Sequence, residues 1–273
     1  DLVIGALVPS ANDAATALAI AAAGTVPRFV KLMNRKAAEL GLRHTTYRNP
    51  HGLDQTGHVS TARDSAILLR AALREPAIRR YASAATARLS DGRLVESTDN
   101  LVGTFRGFVG GKTGHTSLAG WSQVGFAKVG GVGVTVTVLG SRTEAQRDRD
   151  LSSLLRFGLT SYRPSRVVDP SRTYASVEVG WGKPPLRLVA PRSIVRLAHV
   201  GRPLSERVVA PAVVRLPVRA GQPLGTVVVR DGARIVARSV LVAAETRREP
   251  TRLQKATWLA RRTGDHLVGL VTP

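Results

Sequence analysis

The tract Trp121–Gly140, WSQVGFAKVGGVGVTVTVLG, sets Val132, Val134, Val136 and Val138 at strict period two after a Gly130-Gly131 pair. That alternation puts one set of side chains on each face of a pleated strand, and a Gly-Gly pair supplies the positive φ of a tight turn. The tract therefore predicts a β-hairpin, and this decides how the preceding stretch, GFVGGKTGHTS (Gly107–Ser117), can be read. Gly111-Lys112-Thr113 resembles the end of a phosphate-binding G-x-x-x-x-G-K-[ST] loop. Such a loop needs glycine at 106, where Arg106 stands, and a helix opening at the lysine, where the hairpin pattern stands instead. Two readings remain: a solvated edge lysine, or a Lys-Thr pair on a strand edge that grips a ligand group.

Composition narrows the class. The 273 residues are 43% hydrophobic, enough for two modest cores. Cysteine is absent, which excludes disulfides, thiol chemistry and Cys-ligated metal. The net charge is +21, carried by 34 arginines and six lysines against 19 acids. These charges are scattered, aromatics make up 4%, and no helix-turn-helix or RNA-binding motif appears, so no nucleic acid partner is expected. His51 and His58 flank Asp54 in a polar loop, a pattern more typical of solvated side chains than of ligands, so no metal and no cofactor is expected. No run of 18 apolar residues occurs, and DLVIGALVPS opens without a methionine, which suggests a chain that begins inside a longer one.

Residues 1–162 read as helices followed by strands. SANDAATALAIAAAG is an Ala-rich helix stopped by Gly24, with Ser10 as a candidate N-cap and Asp13 its partner. VPRFVKLMNRKAAELG is a second helix, with Pro27 in its first turn, Gly41 after its end, and Phe29, Val30, Met33, Ala37 and Leu40 as its apolar stripe. A polar loop through Asn49-Pro50-His51-Gly52 precedes a third helix, capped by Ser60 or Thr61 with Asp64 completing a capping box. A hairpin turns at Asp91-Gly92, and a helix over 148–159 closes this part. From about Pro164 short Val- and Arg-rich alternating runs predict a β-rich domain over 163–245, with a hairpin at Asp231-Gly232. Residues 246–273 hold a basic amphipathic helix with Leu253, Ala256, Ala260, Leu267 and Val271 on one face. It serves either as a membrane-surface anchor or as a helix docked on the protein.

About a hundred residues before Lys112 stand Ser10 and Asn12, a Ser-x-Asn pair. Ser-x-Asn together with Lys-Thr-Gly is a pairing of the penicillin-recognising serine enzymes. With LVPSANDAA, FVKLMNRKAAELGLRHTTYRNPHGLD, HVSTARD, GGKTGHTSLAG and LLRFGL in order, the chain resembles the D-alanyl-D-alanine carboxypeptidases, the low-molecular-weight penicillin-binding proteins. The resemblance implies an α+β fold: a β-lactamase-like transpeptidase domain, a small β-rich sandwich domain and a C-terminal amphipathic helix. It implies an extracytoplasmic enzyme that trims the terminal D-Ala from peptidoglycan stem peptides ending in D-Ala-D-Ala. It also implies binding of β-lactams and contact with an anionic membrane surface. Residue by residue, Ser10 would relay the proton to the leaving amine and Asn12 would orient the substrate amide. Lys112 and Thr113 would hold the terminal carboxylate, Gly111 and Gly114 would admit the peptide along the strand, and the His115 N–H would form half an oxyanion hole.

The family's third motif, Ser-x-x-Lys, which carries the nucleophile and its base, is not found. Arg28, Met33, Val109, Gly125, Gly180 and Arg252 stand three places before the six lysines. The resemblance puts that motif before Asp1. The alternatives are a non-catalytic homologue that binds peptidoglycan or a wall partner, a class A β-lactamase, which would lack the β-rich domain, and a nucleic-acid binder supported by charge alone.

Overall fold

The computed structural model describes the backbone of residues 1–271 and the side-chain environment of residues 1–263. The chain divides into two compact units, Asp1–Tyr162 and Arg163–Pro273.

The first unit opens with α1 (Leu2–Leu7), α2 (Asn12–Ala23) and α3 (Val26–Glu39), followed after the polar loop by α4 (Ala62–Ala72) and α5 (Pro76–Ala82). Gly24 ends α2 with φ 75°, and Gly41 follows α3 with φ 71°, the left-handed geometry that glycine takes without strain. Ala37 is buried, and Phe29, Val30, Met33 and Leu40 are half-buried on the expected stripe. Thr61, not Ser60, caps α4, its Oγ1 accepting from the Asp64 N–H at 3.2 Å. The capping box is only half made, because the Asp64 carboxylate accepts from His44 N–H and Thr45 Oγ1 instead. Burial pushes the Asp64 carboxyl up, but these bonds, with the charges of His44 and Arg63, together outweigh it and hold the value below the ordinary one.

A short hairpin, β1 (Thr86–Arg88) with β2 (Leu94–Glu96), forms around Asp91-Gly92. The core sheet is antiparallel, in the order β3 (Phe108–Thr116), β4 (Gly120–Val129), β5 (Val132–Ser141). Gly130 and Gly131 both have positive φ, 57° and 83°, as a two-residue type I′ turn demands. The period-two valines Val134, Val136 and Val138 pack with Leu101, Ala127, Leu151 and Leu155 beneath α6 (Glu144–Ser161). Val124 and Phe126 face the other way onto Leu69, Leu73 and Ala82 of α4 and α5. The sheet is thus covered on both faces. The expected closing helix over 148–159 is longer at both ends, because Thr143 caps it, accepting from the Gln146 N–H.

The second unit has its own core around Val168, Val177, Leu186, Leu188, Val218, Val227 and Leu241. Its main sheet runs β10 (Ser205–Val209), β11 (Pro223–Asp231), β12 (Arg234–Ala243), β8 (Leu186–Val189), β7 (Thr173–Val177), and β6 (Tyr162–Val168) pairs with β9 (Ile194–His199). The last helix, α7 (Arg252–Val271), docks within this unit through Trp258. The Trp258 ring meets Trp181 edge-on at 5.4 Å, and Lys255 lies over Trp181 at 5.2 Å while pairing with Glu249. The expected apolar face points the other way: Leu253 is 78% exposed, and Ala256 and Ala260 are exposed. The side chains of Leu267 and Val271, also assigned to that face, lie outside the described residues.

Candidate active site

The site is built where the α1–α2 connection meets the edge of the core sheet. Ser10 does not cap α2; Ala11 holds that position, and the Asp13 carboxylate accepts from the Ala14 N–H. Ser10 instead adopts φ 61°, a left-handed conformation that costs a non-glycine residue about 1–2 kcal/mol. The geometry turns its hydroxyl toward β3, where Lys112 Nζ donates to Ser10 Oγ at 2.6 Å. The same ammonium donates to the Thr113 carbonyl at 3.0 Å. Two residues 102 apart are therefore joined by one short charge-assisted bond.

Among the described residues Lys112 has no carboxylate within ion-pair distance. Burial pushes its ammonium down from 10.5 to about 8, with Asp99 pulling it back up and Arg147 adding to the fall. A protonated amine that is short of counter-charge in a groove is a receptor for an anion. Thr113 Oγ1 is 2.7 Å from Thr98 Oγ1, which fixes the hydroxyl beside it. Asn12, the first residue of α2, lines the same groove, and its side chain makes no hydrogen bond among the described residues. That groove is about 520 Å³ and is bordered further by Met33, Tyr47, His51, His58 and His115. His115 stacks on its cross-strand partner Trp121 at 4.1 Å, so its ring is committed to packing.

The two glycines differ in their reasons. A Cβ on Gly111 would lie 2.6 Å from the Val124 carbonyl and 2.8 Å from Asp99 Oδ2, so its smallness serves the interior, not an incoming ligand as expected. Gly114 would meet nothing within 4 Å, and it is the glycine that leaves the strand open. Asp99 beneath is buried, accepting from Leu101 N–H and Gln123 Nε2 through Oδ1, while Oδ2 has no partner. Burial raises its carboxyl above the ordinary value.

Sequence reasoning missed Arg147. It is 1% exposed on α6, pairs with Asp148 at 2.6 Å and Glu144 at 3.2 Å, and stacks over Trp121. It lines a second recess of about 360 Å³ together with Ser10, Thr113, Gly114 and His115. One of 34 arginines carries no motif, and only its place on the helix packed on β4 and β5, over Trp121, singles it out. His51 and His58 sit at the groove. Desolvation and the charge of His51 lower the His58 value, and Asp54 opposes them. Among the described residues no group of three His, Cys, Asp or Glu side chains could hold a metal ion.

This groove, with Ser-x-Asn on a helix-opening loop facing Lys-Thr-Gly on a strand edge, is the arrangement of a penicillin-recognising serine enzyme. Residues 1–143 match the family model for the D-alanyl-D-alanine carboxypeptidases, peptidase family S11, and the chain belongs to that family. It is similar to the D-alanyl-D-alanine carboxypeptidase DacF of Bacillus subtilis (strain 168), 29% identical over 97% of this chain and 69% of the relative. It spans less than half the length of several other curated relatives. Among solved structures, penicillin binding protein 5 from Haemophilus influenzae matches with a TM-score of 0.63 at 27% identity, over 91% of this chain and 74% of that one. Penicillin-binding protein D2 from Listeria monocytogenes, in its ampicillin-bound form, matches with a TM-score of 0.55 at 36% identity, over 58% and 66%. The fold is that of the penicillin-binding carboxypeptidases.

Proposed function

We propose that the groove binds a peptidoglycan stem peptide ending in D-Ala-D-Ala and belongs to an enzyme that releases the terminal D-Ala. The observation that carries this reading is the Lys112 Nζ to Ser10 Oγ bond, set in a groove beside the Asn12 side chain and the Thr113 hydroxyl. The terminal carboxylate takes the Lys112 ammonium and the Thr113 hydroxyl, with Arg147 adding positive charge from behind. Asn12 offers its amide to the peptide bond, Gly114 leaves room for the peptide to lie along β3, and the His115 N–H stabilises the oxyanion.

The chemistry is acyl transfer. A serine hydroxyl adds to the penultimate carbonyl, the C–N bond breaks, and the leaving amine takes a proton relayed through Ser10, itself held by Lys112. Water then hydrolyses the ester and returns the serine. The serine and the lysine that deprotonates it are proposed to come from a Ser-x-x-Lys segment outside residues 1–273. A recess of about 320 Å³ between Leu68, Leu69 and Ile78 on one side and Val124 and Leu139 on the other offers such a segment an apolar bed next to Lys112. β-Lactams, which mimic the acyl-D-Ala-D-Ala end, are expected to acylate that serine. The proposed location is the cell wall or the outer face of the cytoplasmic membrane. There the outward side of α7, with Leu253, Leu259 and Arg252, presents the surface a membrane would meet.

The lack of Ser-x-x-Lys within the 273 residues favours one second reading, a non-catalytic homologue that binds the wall peptide. D-Ala release from an acylated D-Ala-D-Ala peptide separates the two. It is assayed on residues 1–273 alone and on the chain expressed with its preceding coding sequence. Release by the longer chain only is the result expected for the enzyme. Binding without release by either form would select the second reading.

A further inference from the structure

The outer face of the main sheet in the second unit carries a charge pattern that the groove does not use. Cross-strand pairs share a face, so the registers define that face row by row. Arg207 of β10 lies opposite Val228 of β11, which lies opposite Arg238 of β12. The next row is Val209, Thr226 and Val240, and Ser205 pairs with Arg230 on the other side. Arg187 of β8 continues the face toward Ser176 of β7. The opposite side of these strands is the core, through Val227, Val229, Ala237, Leu241 and Leu188. Arg187, Arg207 and Arg238 are exposed, as are Val209 at 54% and Val240 at 48%.

No acid occupies a position on this face in the paired registers. Glu206, exposed on the other side of β10 in the row of Val229, pairs with Arg172, while Asp231, at the end of β11, meets Arg202. Among the described residues the side chains of Arg187, Arg207 and Arg238 make no hydrogen bond or ion pair, and Arg230 donates to the Ala233 carbonyl. Four guanidiniums thus stand on a rigid, flat surface without counter-charge. With strands about 4.8 Å apart, Arg207 and Arg238 are held roughly 10 Å from one another across β11. The scattered basic surface expected from composition becomes a patterned one here.

We propose that this face binds a linear phosphodiester polymer with a flexible polyol backbone. Two features choose that occupant. Guanidiniums pair with phosphate in a bidentate way, and several spaced along a face match a repeating anion better than one small ion. The face's valines, Val209 and Val240 among them, offer methyl groups to the carbon atoms between phosphates.

The test is titration of the full chain with end-labelled poly(glycerol phosphate) of defined length, at salt from about 50 to 200 mM. The variant is Arg207→Gln/Arg230→Gln/Arg238→Gln. The control is Arg63→Gln/Arg70→Gln/Arg74→Gln, three exposed arginines of the first unit. Duplex DNA of equal charge and anionic lipid vesicles are titrated in parallel, and thermal unfolding verifies that both variants fold. The proposal expects the face variant to lose about ten-fold in affinity and about 2 in the slope of log K against log salt, at ~0.7 per phosphate contact. The control should lose less than a third of that. Equal losses in the two variants would reduce the effect to net charge and overturn the proposal. So would a wild-type chain that ignores the polymer, or the same dependence on these arginines with DNA or vesicles.

Discussion

Ser10 and Lys112 concentrate the chemistry of the site in one 2.6 Å contact. Ser10 holds a left-handed φ that glycine would adopt without strain. Ser10→Gly is therefore expected to keep or raise the melting temperature while removing the acceptor for the ammonium. With that acceptor gone the charged form loses support, so the Lys112 value falls further below about 8. An alkaline titration followed by NMR of the labelled lysine measures both. The sign for ligand binding follows from the same group. Lys112 is charged below about 8 and neutral above it, so affinity for a peptide carboxylate should hold at neutral pH and decline as pH rises through that value. Lys112→Ala should weaken the same peptide about 10- to 100-fold at pH 7, the worth of one charge-assisted bond, and should flatten that decline. Asp99 gives an acid-side check. Its folded value is raised, so the native state binds more protons than the unfolded one just above the ordinary carboxylate range. Stability from this group is therefore present below the unfolded value and lost as pH rises through the folded one. Asp99→Asn should abolish that loss in urea titrations.

At the scale of elements, the core sheet separates packing from binding within one strand. Gly111→Ala drives a methyl against the Val124 carbonyl and Asp99 Oδ2, and should cost about 1–3 kcal/mol of stability by denaturant unfolding. Gly114→Ala meets nothing in the protein and should unfold no more easily than wild type. It should still impair peptide binding, because the added methyl stands where the peptide would lie. The Asp91-Gly92 and Gly130-Gly131 turns, the period-two valines and the glycine stops of α2 and α3 were legible in the sequence, since each rests on local chemistry. Ser10 was legible as a motif member but misread as a cap, because its φ is set by contact with β3, 102 residues away. Thr61 and Ser60 both qualify as caps by type, and only the helix geometry chooses between them. Arg147 was not legible at all. Its importance comes from α6 packing on β4 and β5 and setting it over Trp121, a tertiary fact that no local pattern encodes.

Taken as a whole, the molecule is two units, each with its own apolar core. Residues 163–273 should therefore fold alone and unfold cooperatively, as calorimetry of the isolated fragment would record. Within that fragment Trp258→Ala removes the ring that packs on Trp181, and α7 should become sensitive to trypsin at Arg261 and Arg262 while the sheet stays protected. The class of protein was legible because the two motifs recur in order with the surrounding segments. The patterned arginine face was not, since its members come from four strands and meet only once the sheet is formed.

The central claim is that the Ser10–Lys112 groove receives a D-Ala-D-Ala carboxylate. Its most direct test is calorimetric titration of an acylated peptide ending in D-Ala-D-Ala, at pH 7, into the wild-type chain, Lys112→Ala and Gly114→Ala. The account predicts saturable binding by wild type, weakened in both variants, and no such binding of the peptide amidated at its C-terminus. Binding that survives both substitutions, or that ignores loss of the carboxylate, would contradict it.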